Sequence, residues 1–400
     1  MTVKTLNIGG TKGLRNDVSL ERFEKEDLSV GANIDIDDTG KISRRLGTTQ
    51  VVGATTPHSL WSKDGVAFFV EGADLKQLFS GFTTQVVRSD MTNDRVSYEI
   101  VNGRVYYTSF GVSGVLDVGG SHRTLGIVIP DVQPTAVQAA GGDMPEGTYL
   151  FAVTFVRGDG QESGTGRSGT ITLDGQSSIA FSNIPVSTDP SVVSKFLYLS
   201  SRNGDVLFIA GVIDNAVTDV TIGALPENTV ALRTQYMGPP PAGCTLVAFY
   251  KGRLWFAQGN LLWYTEAFNL ELMDYRSNYK AFVDPILMIA PVTDGIYIGT
   301  DKNILFLGGA DADNMELESL TRYGVYSGTL AYIPVGLALD SHSKGRTAAW
   351  VTKEGVCFGF DGGALRNVTE GRYTPAVAKA GAGVFKVSNG AHQYLATLFT

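Results

Sequence analysis

One short pattern recurs along this chain and constrains its fold more than any other feature: an apolar strand, a polar residue followed by glycine at a turn, then a second apolar or aromatic strand. Six segments carry it, over 60–70, 98–107, 246–256, 289–298, 349–358 and 384–394. Hairpin turns that match the twist of their strands need positive φ, which Asn, Asp and above all Gly adopt at little steric cost. The turn glycines, Gly65, Gly103, Gly252, Gly295, Gly355 and Gly390, stand 38, 149, 43, 60 and 35 residues apart, so one gap is far longer than the others.

Within that gap the texture changes from about Val132 to Gln235, and removing those 104 residues reduces 149 to 45. Strand-like segments follow one another at 147–156, 168–173, 178–182, 195–200, 206–210 and 217–221, the first with clear period-two alternation. The texture is that of a fibronectin-III-like or immunoglobulin-like sandwich of about seven strands. The repeats outside it have the period of β-propeller blades, small antiparallel sheets that bury their faces against their neighbours.

The sequence therefore predicts an all-β chain: a five- or six-bladed propeller interrupted by a sandwich. Segment 1–50 is an N-terminal docking segment with a hairpin, 51–131 the first part of the propeller, 132–235 the insertion and 236–400 the second part. Pro239-Pro240-Pro241 marks the return from the insertion. The alternative is two unrelated β-sandwiches whose hairpins look alike.

Composition agrees with this. The 48 glycines among 400 residues exceed the usual share of about 7%, and the 18% of charged residues falls below the usual figure of about 25%. No apolar run reaches the roughly 18 residues of a membrane span, and the opening residues lack the apolar stretch of a signal peptide, so a cytosolic origin is expected. Cys244 and Cys357 stand alone in apolar stretches, without the spacing of a metal or redox site. A net charge of −8 argues against a protein that grips duplex DNA; the local basic cluster is Lys41, Arg44 and Arg45.

Several motifs give way to simpler explanations. Gly164 to Gly169 spells GxGxxG, but a strand follows it where a dinucleotide site needs a helix. Arg157-Gly158-Asp159 is a hairpin turn. Asp35 to Gly40 begins like a calcium loop, yet its twelfth position is Leu46 in place of a bidentate glutamate. His58, His122, His342 and His392 have no catalytic or metal-binding spacing. The carboxylates Asp94, Glu99, Glu266, Asp274 and Asp284 are candidates for a glycosidase pair only if the fold brings two of them together.

The segment from Asn7 to Asn16, followed by Ala32-Asn33-Ile34-Asp35-Ile36 and then Gly40-Lys41-Ile42-Ser43-Arg44-Arg45-Leu46-Gly47, resembles tail proteins of short-tailed bacteriophages. These are the nozzle, hub or packaged-DNA-stabilisation proteins, in which a G-L-x-N opening precedes an N-x-D-x-x-G-x-L/I-x-x-R-x-G element. Leu60-Trp61, Gly103 to Thr108, Gly147 to Tyr149, Asp159 to Ser163, Gly252 to Trp255, Leu262 to Tyr264, Tyr297 to Thr300 and Tyr323-Gly324 are similar to the same group.

The resemblance implies a homo-oligomeric ring, usually sixfold, below the portal and adaptor, which extends the portal channel, retains packaged DNA and conducts it at ejection. It implies a location in the virion tail after assembly in the host cytoplasm. A net negative wall would keep DNA from adhering. Lys41, Arg44 and Arg45 are the candidates to dock on a neighbouring ring or touch DNA, the alternative being a solvated hairpin edge protected by charge, and no catalytic residue, cofactor, metal or enzymatic activity is expected. The alternative is a receptor- or glycan-binding appendage using aromatics such as Trp255, Trp263 and Tyr264, with an enzymatic propeller third.

Overall fold

A computed structural model describes residues 10–37, 39–117, 121–227, 230–337, 345–388 and 391–400. Gly390, His342, Asp38 and residues 7–9 of the opening element lie outside them. The chain is all-β, with 48% of its residues in strands and 2% in helix.

Five four-stranded antiparallel sheets, each with its strands in sequence order, carry the repeat. Sheet I comprises His58–Lys63, Val66–Glu71, Asp74–Leu78 and Thr84–Arg88. Sheet II comprises Ser97–Val101, Arg104–Thr108, Ser113–Leu116 and His122–Arg123. Sheet III comprises Leu246–Tyr250, Arg253–Gln258, Leu261–Tyr264 and Tyr279–Ala281. Sheet IV comprises Met288–Pro291, Gly295–Gly299, Ile304–Gly308 and Glu316–Ser319. Sheet V comprises Ala331–Ile333, Thr347–Thr352, Gly355–Gly359 and Leu365–Asn367. A two-stranded hairpin, Ala380–Ser388 with Ala391–Phe399, follows.

The turn glycines do not all serve the purpose expected of them. Asp64 and Gly65, Asn102 and Gly103, and Lys251 and Gly252 are left-handed pairs, as a type I′ turn requires. Gly295 and Gly355 instead begin the next strand. A Cβ at Gly295 would lie 2.3 Å from the Phe306 ring, so close packing selects that glycine; at Gly355 a Cβ would lie 2.4 Å from the Asn367 amide oxygen, and a φ of +148° favours glycine as well. In sheet V the repeat also falls on the second and third strands, not the first and second.

The sheets pack face to face in sequence order. Tyr98 of sheet II stacks on Trp61 and Phe68 of sheet I, with centroids 5.5 and 6.3 Å apart. Sheets II and III share a core around Tyr106, Val115, Leu254 and Phe256. Tyr250 and Tyr264 of sheet III donate to Gly309 O at 2.6 Å and Asp313 Oδ1 at 2.7 Å, reaching across to sheet IV. Tyr297 of sheet IV packs on Trp350 and donates to Phe360 O at 2.7 Å in sheet V's territory. Phe385 and Tyr394 carry the stack from sheet V to the hairpin. Arg95, between sheets I and II, donates to the carbonyls of Gly381 and Gly328 at 2.8 and 3.1 Å and so joins the first sheets to the last elements.

Between sheets II and III the chain forms a three-stranded sheet, Thr135–Met144, Ser177–Ser182 and Val220–Ile222, and a four-stranded sheet, Gly147–Arg157, Gly169–Leu173, Val192–Ser200 and Leu207–Asp214. Both contribute to one core of Met144, Tyr149, Phe151, Ile179, Phe181 and Leu197. Strand Thr135–Met144 has no counterpart among the six segments read from sequence. It is mostly exposed and interrupted by a register shift at its two left-handed glycines, so it lacks apolar alternation.

Candidate functional site

The basic cluster lies on a small hairpin whose strands are Ile34–Ile36 and Ile42–Arg44. Its turn is built by Asp37, whose Oδ1 accepts hydrogen bonds from Thr39 N, Thr39 Oγ1 and Lys41 N. These bonds hold the Asp37 carboxyl below the usual carboxylate range, and they give the calcium-like spelling the role of a turn. Lys41, Arg44 and Arg45 are all exposed. They do not act alike: Arg45 pairs with Asp35 at 3.1 Å, whereas Lys41 and Arg44 have no carboxylate partner among the described residues.

The base of this segment is clamped to the body. The Asp27 side chain is fully enclosed between Arg15 at 2.9 Å and Arg372 at 2.7 Å. Hydrogen bonding from Arg15, which outweighs the burial penalty, holds the Asp27 carboxyl below its ordinary range. Asn16 exchanges side-chain bonds with Thr374, donating to its carbonyl and accepting from its N–H, both at 2.8 Å. The segment is thus fixed on the loop that follows sheet V.

A second charged assembly has no signature in the sequence. Glu271, 4% exposed, accepts from Arg123 of sheet II at 2.5 Å, from Arg157 at 2.9 Å and from the Gly126 N–H at 3.0 Å. Arg157 ends the strand Gly147–Arg157 of the four-stranded sheet between sheets II and III and also pairs with Asp159 at 2.9 Å. Burial raises the Glu271 carboxyl, but the two guanidinium groups outweigh it and hold the group below the ordinary range. The cluster draws its members from sheet II, the strand Gly147–Arg157 and the loop of sheet III, at separations of 114 and 148 residues.

The GxGxxG glycines have a role in packing. A Cβ at Gly164 would meet Met237 O at 1.7 Å, one at Gly166 would meet Pro130 O at 2.2 Å, and one at Gly169 would meet the Phe151 ring at 2.0 Å. Two of the three lie against Pro130 and Met237, the residues just before and after the seven strands between sheets II and III.

The aromatics named for sugar stacking are mostly unavailable. Trp255 and Tyr264 are 1% and 2% exposed, packed on each other 4.8 Å apart, and Trp263 is covered by Tyr275 and Tyr279. Alternation places them on the inner faces of sheet III, where cross-strand packing needs them. The carboxylates do not gather either. Glu99 pairs with Lys63, Asp274 with Arg276, Asp284 with Lys302 and Glu266 with Arg253, while Asp94 accepts from Thr92.

Among the described residues no group of His, Cys, Asp and Glu could hold a metal ion, and no helix is long and apolar enough to cross a membrane. Both cysteines are buried, and burial pushes the Cys244 thiol up to about 12. A cavity of about 480 Å³ lined by Phe110, Thr245, Gln258, Pro285, Ile286 and Leu287, with Ala242, Gly243 and Gly259, contains no ionisable side chain.

No family model and no curated protein matches the chain. Among solved structures it is similar to virginiamycin B lyase from Staphylococcus aureus, at 9% identity and a TM-score of 0.32, covering 84% of this chain and 89% of that one. It is also similar to AztD from Citrobacter koseri, at 10% identity and a TM-score of 0.26 over 86% and 88% of the two chains. A third likeness is to Sqt1 from Saccharomyces cerevisiae, at 10% identity and a TM-score of 0.21 over 72% and 90%. These neighbours are of β-propeller type. The expectation that the chain is not an enzyme is corrected here: virginiamycin B lyase is one, so likeness to such folds does not exclude catalysis. At these scores the likeness carries no activity over to this chain.

Proposed function

We propose that this chain is the subunit of a ring, sixfold by its family resemblance, in the tail nozzle or head-completion assembly of a short-tailed bacteriophage. In this reading it extends the portal channel, retains packaged DNA and conducts it at ejection. Its five sheets and the 380–399 hairpin are six positions of a propeller, and residues 132–235 are a sandwich inserted between the second and third positions.

The observation that carries the reading is the basic hairpin. It presents Lys41 and Arg44 to solvent without an acidic partner among the described residues, while the Arg15–Asp27–Arg372 cluster fixes its base. A rigid mount with free cations suits docking to an acidic surface of a neighbouring ring. The face-to-face sheets provide a stiff wall, and a net charge of −8 favours passage of DNA over adhesion.

Electron microscopy of particles containing the protein tests the reading directly. A ring of this chain below the connector is expected; a protein that never enters particles overturns it. Reversing the charge of Lys41, Arg44 and Arg45 together is expected to block incorporation while leaving the thermal unfolding of the isolated chain unchanged, and normal infectious particles would refute the docking role.

A further inference from the structure

The 380–399 hairpin occupies a position like those of the five sheets but has two strands where each of them has four. One face is seated on sheet V through Phe385 and Tyr394, and Tyr394 Oη donates to Thr329 O at 2.5 Å. Strand Ala391–Phe399 pairs with Ala380–Ser388 along nine residues in unbroken register. Among the described residues nothing pairs with its other edge.

That edge is unprotected. The outer strands of sheets I to V are two to five residues long, and each contains Arg, Lys or Glu. Short length and charge are the usual means of stopping a sheet edge from recruiting another strand. Strand Ala391–Phe399 has nine residues, no Lys, Arg, Asp, Glu or Pro, and no bulge. Val384 and Phe399 are 54% and 51% exposed, so the hairpin also leaves apolar surface open.

The chain contains a segment with the complementary deficiency. Residues 46–54 run in no strand and make no backbone-to-backbone hydrogen bond with any described residue, although Thr48-Thr49-Gln50-Val51-Val52 is rich in β-branched residues. Leu46 is 69% and Val51 56% exposed. An unpaired strand former and an unpaired strand edge coexist in one chain without meeting each other.

We propose that residues 46–52 of one copy add as a third strand to the outer edge of Ala391–Phe399 of a second copy. The backbone ladder supplies the binding, and alternate side chains set the register. The contact is head to tail, since segment and edge are different surfaces, and repeated contacts of this kind close into a ring when the rotation permits. The inference deepens the ring reading by naming the joint between subunits, but it concerns self-association of the isolated chain and does not depend on where the ring sits.

The test uses full-length chains with two different tags, produced in one cell, one bearing Thr49→Cys and the other Thr397→Cys, treated with a short bismaleimide. The native thiols are buried and serve as the background. A cross-linked pair carrying both tags is expected at no less than about ten times the level in either single variant, as a specific rather than a collisional contact requires. Gln50→Pro and Val51→Pro are introduced separately into the Thr49→Cys chain. Neighbouring N–H groups in a strand point to opposite sides, so one of the two faces the ladder and should abolish the product. Thermal unfolding should not change, since neither residue bonds the rest of its own chain through its backbone. Product no higher than in the single variants, or product retained in both proline variants, would each overturn the inference. Either of these beside a ring seen in particles would leave the proposed function standing.

Discussion

Arg157 Nη1 lies 2.9 Å from Oε2 of Glu271, joining the four-stranded sheet that lies between sheets II and III in sequence to the loop of sheet III through two side chains that are 6% and 5% exposed. Removing one partner of a buried pair leaves the other charge without compensation, at a cost of about 3–5 kcal/mol. Glu271→Gln should therefore lower the unfolding free energy by about that amount in urea denaturation. The double variant Glu271→Ala/Arg157→Ala should lose less than the sum of its single variants, with a coupling of about 0.5–3 kcal/mol. Strict additivity would show that the pair does not hold the two parts together.

Gly164 offers a test of packing. Its added Cβ would sit 1.7 Å from a backbone carbonyl oxygen of Met237, which cannot rotate away as a side chain would. Gly164→Ala should cost about 1–3 kcal/mol, the usual range for overpacking. Gly175→Ala, with open space around the new methyl, should fall within about 0.5 kcal/mol of the parent. The comparison is read by differential scanning calorimetry, and equal effects would remove the packing explanation of the GxGxxG spelling.

Arg372 should control how firmly the basic hairpin is held. Arg372→Ala leaves Asp27 with Arg15 alone, so trypsin should cut severalfold faster at Arg44 and Arg45 while the main unfolding transition stays in place. An unchanged cleavage rate would mean that the clamp does not limit opening of the segment.

His122 predicts an acid-side loss of stability. Burial, and then the neighbouring Arg88 charge, lower its pKa, and Nε2 lies 2.8 Å from Tyr107 Oη. A depressed folded pKa means that the unfolded chain takes up the proton first. The contribution is therefore complete above the unfolded value of about 6.5 and is lost as pH falls through the lower folded value. The stability of His122→Asn should fall less steeply than that of the parent between about pH 7 and 5. Parallel slopes would contradict the assignment.

The sequence made the all-β class and the strand pairs around Gly65, Gly103, Gly252, Gly295 and Gly355 legible because turn chemistry and apolar alternation are local. It misjudged the reason for Gly295, which has no positive φ, because the atoms that exclude a Cβ there, on Phe306 and Leu307, come from another strand. Lys41, Arg44 and Arg45 were visible as one cluster, yet the distinction between Arg45, tied to Asp35, and its two neighbours, which have no carboxylate partner among the described residues, depends on the register of the hairpin. The Arg123–Glu271–Arg157 cluster was illegible, because three ordinary charged residues far apart in sequence become a unit only when their elements meet. Trp255 and Tyr264 follow the ordinary rule that hairpin aromatics fill cross-strand core positions, which the sequence already favoured over a sugar-stacking face.

Sheets II and III touch directly, with Ser97 Oγ accepting from the N–H of Val247 at 3.1 Å although 150 residues separate them. A contact between such distant residues must await the closure of a long loop, which slows folding. If residues 132–235 collapse around their own core first, the chain between sheets II and III becomes a short tether, and the remaining search is little longer than that between any other neighbouring pair. On that order of events residues 132–235 shorten the search between sheets II and III, and the Arg123–Glu271–Arg157 cluster can form only after these parts have met.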